Sequence, residues 1–194
     1  YPPRPMDALL VSTAAVAIAE IGDKTMLLAL ILAARYRQPW AIVAGIAVAT
    51  LANHALAGWA GAWVASMVSP EALKWGVVAC FAAVAAWTLI PDKMDEDDAP
   101  KPSRFGAFLA TTVAFFIVEI GDKTQIATVV LAAKYHPLWQ VVVGTSLGML
   151  LANGPVVLLG HRYADRLPLK AARYAAAALF AALAAWVAVR GLGG

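Results

Sequence analysis

Cysteine and charge are both scarce in this chain. Cys80 is the only cysteine among 194 residues, which excludes an intramolecular disulfide and any cysteine-rich metal site. Placed in an apolar run, it is expected to be a small buried side chain. Charged residues make up 14%, against roughly 25% in soluble globular domains. Hydrophobic residues make up 62%, and the mean hydropathy is +0.73. So few charges cannot coat a compact surface, and the bilayer is the expected solvent. The net charge is +3, but the basic residues are scattered through short loops rather than gathered in a stripe, so nucleic-acid binding has no footing. No signal peptide is expected, because the first apolar run is too long and lacks a small-residue cleavage site. Residues 1–5, ahead of Met6, read as a short tail or cloning remnant.

Long apolar runs are what the sequence does have. Runs able to span a bilayer, which takes about 20 residues, lie near 7–34, 40–66, 73–90, 105–133, 138–160 and 170–190. Pro39, Pro70, Pro91, Pro137 and Pro168 fall at or near the junctions, where they cost a helix nothing. The expected fold is an all-α membrane protein of six transmembrane helices. The one long polar stretch, residues 91–104 (PDKMDEDDAPKPSR), reads as a solvated linker between halves 6–90 and 105–194.

The basic residues give an orientation. Nine fall in loops after the first, third and fifth spans (Arg35, Arg37, Lys93, Lys101, Arg104, Arg162, Arg166, Lys170, Arg173), against four on the other side (Arg4, Lys74, Lys134, Arg190). That asymmetry makes the linker cytoplasmic and both termini non-cytoplasmic. Trp40, Trp75 and Trp139 fit interfacial anchors.

The halves repeat. At an offset of 99, Glu20–Thr25 (EIGDKT) recurs as Glu119–Thr124, and Tyr36, Trp40, Gly45 and Gly61 recur as Tyr135, Trp139, Gly144 and Gly160. FAAVAAW at 81–87 matches FAALAAW at 180–186, and LAN at 51–53 recurs at 151–153, offset by 100. Three spans per half is an odd number, so the copies are expected to enter the membrane from opposite sides. Inverted repeats of this kind bind substrate near the midplane, at the repeat interface.

Each motif places three ionisable groups near mid-span, at roughly 2.5–3.5 kcal/mol apiece even on a lenient scale. On a helix, Glu20 and Asp23 share a face and Lys24 comes within reach of Glu20; Gly22 allows local unwinding, which frees carbonyls as oxygen ligands. A purely structural reading, two intrahelical Glu–Lys pairs, leaves Asp23 and Asp122 without partners. The alternative follows from charge. Glu20, Asp23, Glu119 and Asp122 with Lys24 and Lys123 sum to −2 when ionised, which one divalent cation or two protons would neutralise. Such hard oxygen donors suit calcium, magnesium or manganese, whereas zinc or copper would bring Cys and His clusters. Competition between M²⁺ and H⁺ at one site is the physical basis of cation/proton antiport.

The doubled EIGDKT in two three-helix halves resembles the Gdt-type family of small cation/proton exchangers, which includes a Golgi manganese and calcium transporter and bacterial Mne-type manganese exporters. The resemblance runs from Met6 to the end, with no departure in either motif. It implies export of Mn²⁺, or of Ca²⁺ as the alternative, with Glu20, Asp23, Glu119 and Asp122 as metal ligands. The charge-compensating or gating groups would be Lys24 and Lys123. No resident cofactor is expected. The partners are the metal ion, protons and lipid, in a bacterial inner membrane.

Around the motifs, Thr25, Met26, Asn53, Thr124, Gln125 and Asn153 are candidate additional ligands or supporting residues. A Met26 thioether would favour manganese, while the plainer role is packing. For Asn53 and Asn153 the plainer role is interhelical hydrogen bonding, and for His54 a hydrogen-bonded core histidine. A distant rival is an intramembrane aspartyl protease with Asp23 and Asp122 as its dyad, which gives no reason for the repeated Glu, Lys and Thr.

Overall fold

The structure, a computed structural model, describes residues 7–91, 106–160 and 166–192. The expected tail at 1–5, nearly all of the linker, and His161 and Arg162 lie outside these residues. Eight helices and no strand occur among the described residues: α1 Asp7–Glu20, α2 Lys24–Tyr36, α3 Pro39–Met67, α4 Pro70–Thr88, α5 Gly106–Glu119, α6 Lys123–Lys134, α7 Leu138–Leu159 and α8 Leu169–Arg190. Prolines open α3 and α4 at a position where no amide is needed, and Ser69 caps α4 by accepting the Ala72 amide at 3.3 Å.

The eight helices outnumber the six expected spans, and the cause is local. The first and fourth expected spans do not run through as single helices; each breaks at Ile-Gly-Asp. Gly22 and Gly121 take φ of 84° and 77°, left-handed backbone that a side chain disfavours. Asp23 and Asp122 follow in extended conformation as N-caps of α2 and α6. A tight turn closes each break, with the Asp23 amide donating to the Glu20 carbonyl at 3.0 Å and the Asp122 amide to that of Glu119 at 3.1 Å. A continuous helical face is therefore not what gathers the acids. The breaks do that.

Helices α3, α4, α7 and α8 are long and apolar enough to cross a membrane. At 1.5 Å per residue the 14-residue α1 and α5 reach roughly 21 Å, short of the full hydrocarbon thickness, and each ends in a motif. Polarity is arranged inside out. Leu10, Trp59, Ile117, Leu151 and Val189 are exposed, while Glu20, Asp23, Asn53, Glu119, Asp122 and Asn153 are buried. Water would reverse that distribution, and lipid explains it. Trp40, Trp75 and Trp139 are exposed, as anchors require. Cys80 is exposed on α4 rather than buried, since α4 keeps much of its surface for the surroundings.

The halves pack by exchange. Helix α1 lies along α7 and α3 along α5, each pair joining one half to the other. Gly45 of α3 sits where a Cβ would come within 2.8 Å of the Phe108 carbonyl and of Thr111; Gly144 of α7 sits where it would come within 2.7 Å of the Leu9 carbonyl and 2.9 Å of Ser12. Subtracting 99 from the first set's partners gives the second's. Phe81 and Phe180, also 99 apart, stack on each other with centroids 6.1 Å apart, so α4 and α8 meet through equivalent residues.

Candidate cation site

Both breaks face the same interior point. Each brings a helix C-terminal end carrying glutamate and a helix N-terminal end carrying aspartate and lysine. C-terminal ends are partly negative and attract cations, and broken helices in transporters use them for that purpose.

The lysines cross over. Lys24 Nζ lies 3.1 Å from Asp122 Oδ1, and Lys123 Nζ lies 3.2 Å from Asp23 Oδ1. The intrahelical Glu–Lys reading is thereby corrected: each lysine pairs with the aspartate of the opposite motif, because the break removes the continuous helix on which i and i+4 would share a face. Asp23 and Asp122 are not left over. Lys123 is buried, with 4% of its side chain exposed, against 29% for Lys24.

Glu20, Asp23 and Asp122 each offer a buried carboxylate oxygen, and the three oxygens lie within 4.8 Å of one another. Oxygens that ligate one Ca²⁺ at about 2.3–2.6 Å stand at most roughly 5 Å apart, and Mg²⁺ or Mn²⁺ draws them somewhat closer. The spacing fits a hard divalent ion. Glu119 falls outside this trio. It is fully buried and accepts from Thr50 Oγ1 at 3.1 Å and from Asn53 Nδ2 at 3.3 Å.

The neighbouring candidates divide by half. Thr25 donates its hydroxyl to Glu20 Oε2, and Thr124 donates to Asp122 Oδ2 at 3.1 Å. Gln125 donates to Asn53 Oδ1 and accepts the Gly121 amide at 2.7 Å. Its repeat counterpart Met26 packs with Leu30 and Val156, against Leu167 and Leu169. Asn153 donates to the Met149 carbonyl at 3.2 Å and to its sulfur at 2.9 Å. His54 is buried within electrostatic reach of Asp122. It is not the hydrogen-bonded core histidine expected, since neither ring nitrogen has a hydrogen-bond partner among the described residues.

Sequence reasoning missed Thr50. Its signal was there, three residues before Asn53 and so on the same face of α3. The aspartyl protease reading has no support: Asp23 and Asp122 are held by lysines, where a catalytic dyad shares a proton between two acids.

A membrane helix bundle with a buried, acid-rich, lysine-balanced centre defines an ion transporter rather than an enzyme. Comparison with known proteins agrees. The family model described as "Divalent cation/proton antiporter GDT1" matches residues 8–96 and again 107–194, so the chain belongs to that family and each half carries its signature. A Vibrio cholerae protein named "Putative manganese exporter" is 54% identical over 180 residues, 92% of this chain and 89% of the relative. A GDT1-like protein of Synechocystis is 26% identical over 78% of this chain and 82% of its own. GDT1-like protein 3 of Arabidopsis thaliana is 25% identical over 85% and 64%. No solved structure matches. Family membership and apolar helices together make this an integral membrane protein that handles divalent cations and protons.

Proposed function

We propose that the protein exports Mn²⁺ from the cytoplasm in exchange for protons, at a site centred on Glu20, Asp23 and Asp122 with Glu119 beside them. The observation that carries this reading is the trio of carboxylate oxygens within 4.8 Å, crossed by two lysines. With Glu119 the site sums to −2, so one divalent cation or two protons leaves it neutral. Neutrality matters here because an uncompensated charge in the low-dielectric interior is expensive. The empty, ionised site is thereby disfavoured, and exchange is the cheap route between states.

Each broken helix pair, α1–α2 and α5–α6, acts as one transmembrane span, giving six in all. The halves lie in opposite orientations, with the linker cytoplasmic and the termini outside, in a bacterial inner membrane. The exchanged packing of Gly45 and Gly144 supports inversion, and alternating access follows from rocking one half against the other around the site. The name of the Vibrio relative supports manganese as cargo.

The test is reconstitution in proteoliposomes with an imposed pH gradient and competing Mn²⁺, Ca²⁺ and Mg²⁺. Mn²⁺ flux against the proton gradient, outcompeting the other two, is expected. Preferred Ca²⁺ flux would transfer the cargo to calcium, and cation movement indifferent to the pH gradient would end the exchange reading.

A further inference from the structure

The two halves share a motif but not its surroundings. Glu119 has both oxygens engaged, Oε1 by Thr50 and Oε2 by Asn53. Asn53 also donates to the Phe116 carbonyl at 3.2 Å, and its own oxygen accepts from Gln125, which in turn holds the Gly121 amide at the break. The chain Thr50–Glu119–Asn53–Gln125–Gly121 ties a side chain, helix α3 and the break of the second half into one network. Around the first motif the corresponding positions are apolar: Leu150 of α7 stands where α3 has Thr50, and Met26 of α2 where α6 has Gln125. Asn153 turns its amide to Met149 instead of to a glutamate. Glu20 accepts from Thr25 through Oε2 and lies within reach of the Thr124 hydroxyl, yet its Oε1 is buried with no hydrogen-bond partner among the described residues, as is Asn153 Oδ1.

We infer that the two motif glutamates do unequal jobs: Glu20 engages the cation, while Glu119 is held off it by Asn53 and Gln125, which makes Gln125 a positioning residue that acts through Asn53. A carboxylate oxygen buried without a donor is costly, and a cation removes that cost at Glu20. At Glu119 the hydrogen bonds already remove it, so recruiting Glu119 requires breaking them. The trio of oxygens agrees, containing Glu20 and not Glu119. Holding Glu119 back keeps one anionic ligand off the ion, which favours release over retention. This rests on the proposed divalent cation site and adds a division of labour to it.

The experiment compares full-length variants in detergent and in proteoliposomes, with Mn²⁺ as probe. Glu20→Gln is expected to weaken Mn²⁺ binding by calorimetry at least about 100-fold, and Glu119→Gln by less than about tenfold. Gln125→Met, which copies the first half, frees Asn53 and lets Glu119 join the ion; KM and kcat for Mn²⁺ flux should both fall, a split that simple loss of packing does not give. Thr50→Val, which removes the hydroxyl that donates to Glu119 Oε1, should move KM and kcat in the same direction. Equal losses of affinity in Glu20→Gln and Glu119→Gln would overturn the inference, as would unchanged kinetics in both Gln125→Met and Thr50→Val. Wild-type protein that binds Mn²⁺ yet moves none would defeat the exchange reading alone, and the affinity comparison would still decide this one.

Discussion

Lys123 of the second motif reaches Asp23 of the first, Nζ to Oδ1 at 3.2 Å, with almost none of its side chain exposed. The reciprocal pair, Lys24 with Asp122, is as short but leaves Lys24 29% exposed. Deleting one partner of a buried pair strands a charge and costs about 3–5 kcal/mol, whereas water screens a pair it can reach. Lys123→Met should therefore lower the unfolding temperature in detergent clearly more than Lys24→Met. Equal losses would mean that the two pairs are equally buried in the working protein.

Ligand removal gives a second prediction. A cation that binds only the folded state stabilises it by roughly 2.7 kcal/mol at 100 times its Kd, so Mn²⁺ should raise the unfolding temperature and chelation should reverse the rise. Glu20→Gln and Asp122→Asn should fold, show no Mn²⁺-dependent shift and carry no flux. Substantial flux in the double variant would remove these residues from the site.

Much of this arrangement was legible in the sequence because charge within an apolar run has few explanations. Two copies of EIGDKT at mid-span pointed to a shared acidic centre, and the glycine pointed to local unwinding. The break itself was harder to read, since Ile, Glu and Lys around Gly22 all tolerate a helix, and only the left-handed backbone at glycine followed by an aspartate cap decides against one. The crossing of the lysines was beyond reach: i to i+4 spacing favours Glu20 with Lys24 on a continuous helix, and the partner chosen instead is about a hundred residues away. The tethering of Glu119 needed tertiary structure too, because Thr50 and Asn53 come from α3 and Gln125 from α6.

The exchanged packing yields a third prediction from glycines alone. Gly45→Ala and Gly144→Ala each place a methyl under 3 Å from a backbone carbonyl on the helix of the other half. Backbone cannot yield as a side-chain tip does, so each should cost roughly 1–3 kcal/mol. Gly76→Ala meets nothing within 4 Å on α4, and should be neutral or gain up to about 1 kcal/mol from helix propensity. Chemical denaturation in mixed micelles ranks the three. A tolerated Gly45→Ala beside a damaging Gly76→Ala would contradict the packing of α3 on α5.

The final prediction concerns protons. The ionised carboxylates bind the cation and protonated ones do not, so lowering the pH fills the site with protons and must weaken Mn²⁺ binding. The sign is fixed: the apparent Kd rises as pH falls. If two protons replace one cation, linkage makes the rise approach roughly 100-fold per pH unit at the acidic end, while a single proton gives about tenfold. Calorimetry in two buffers of different ionisation enthalpy counts the released protons independently. A Kd that stays flat across the pH range, with no proton release, would leave the four acids as structural charges and remove the physical basis for coupling.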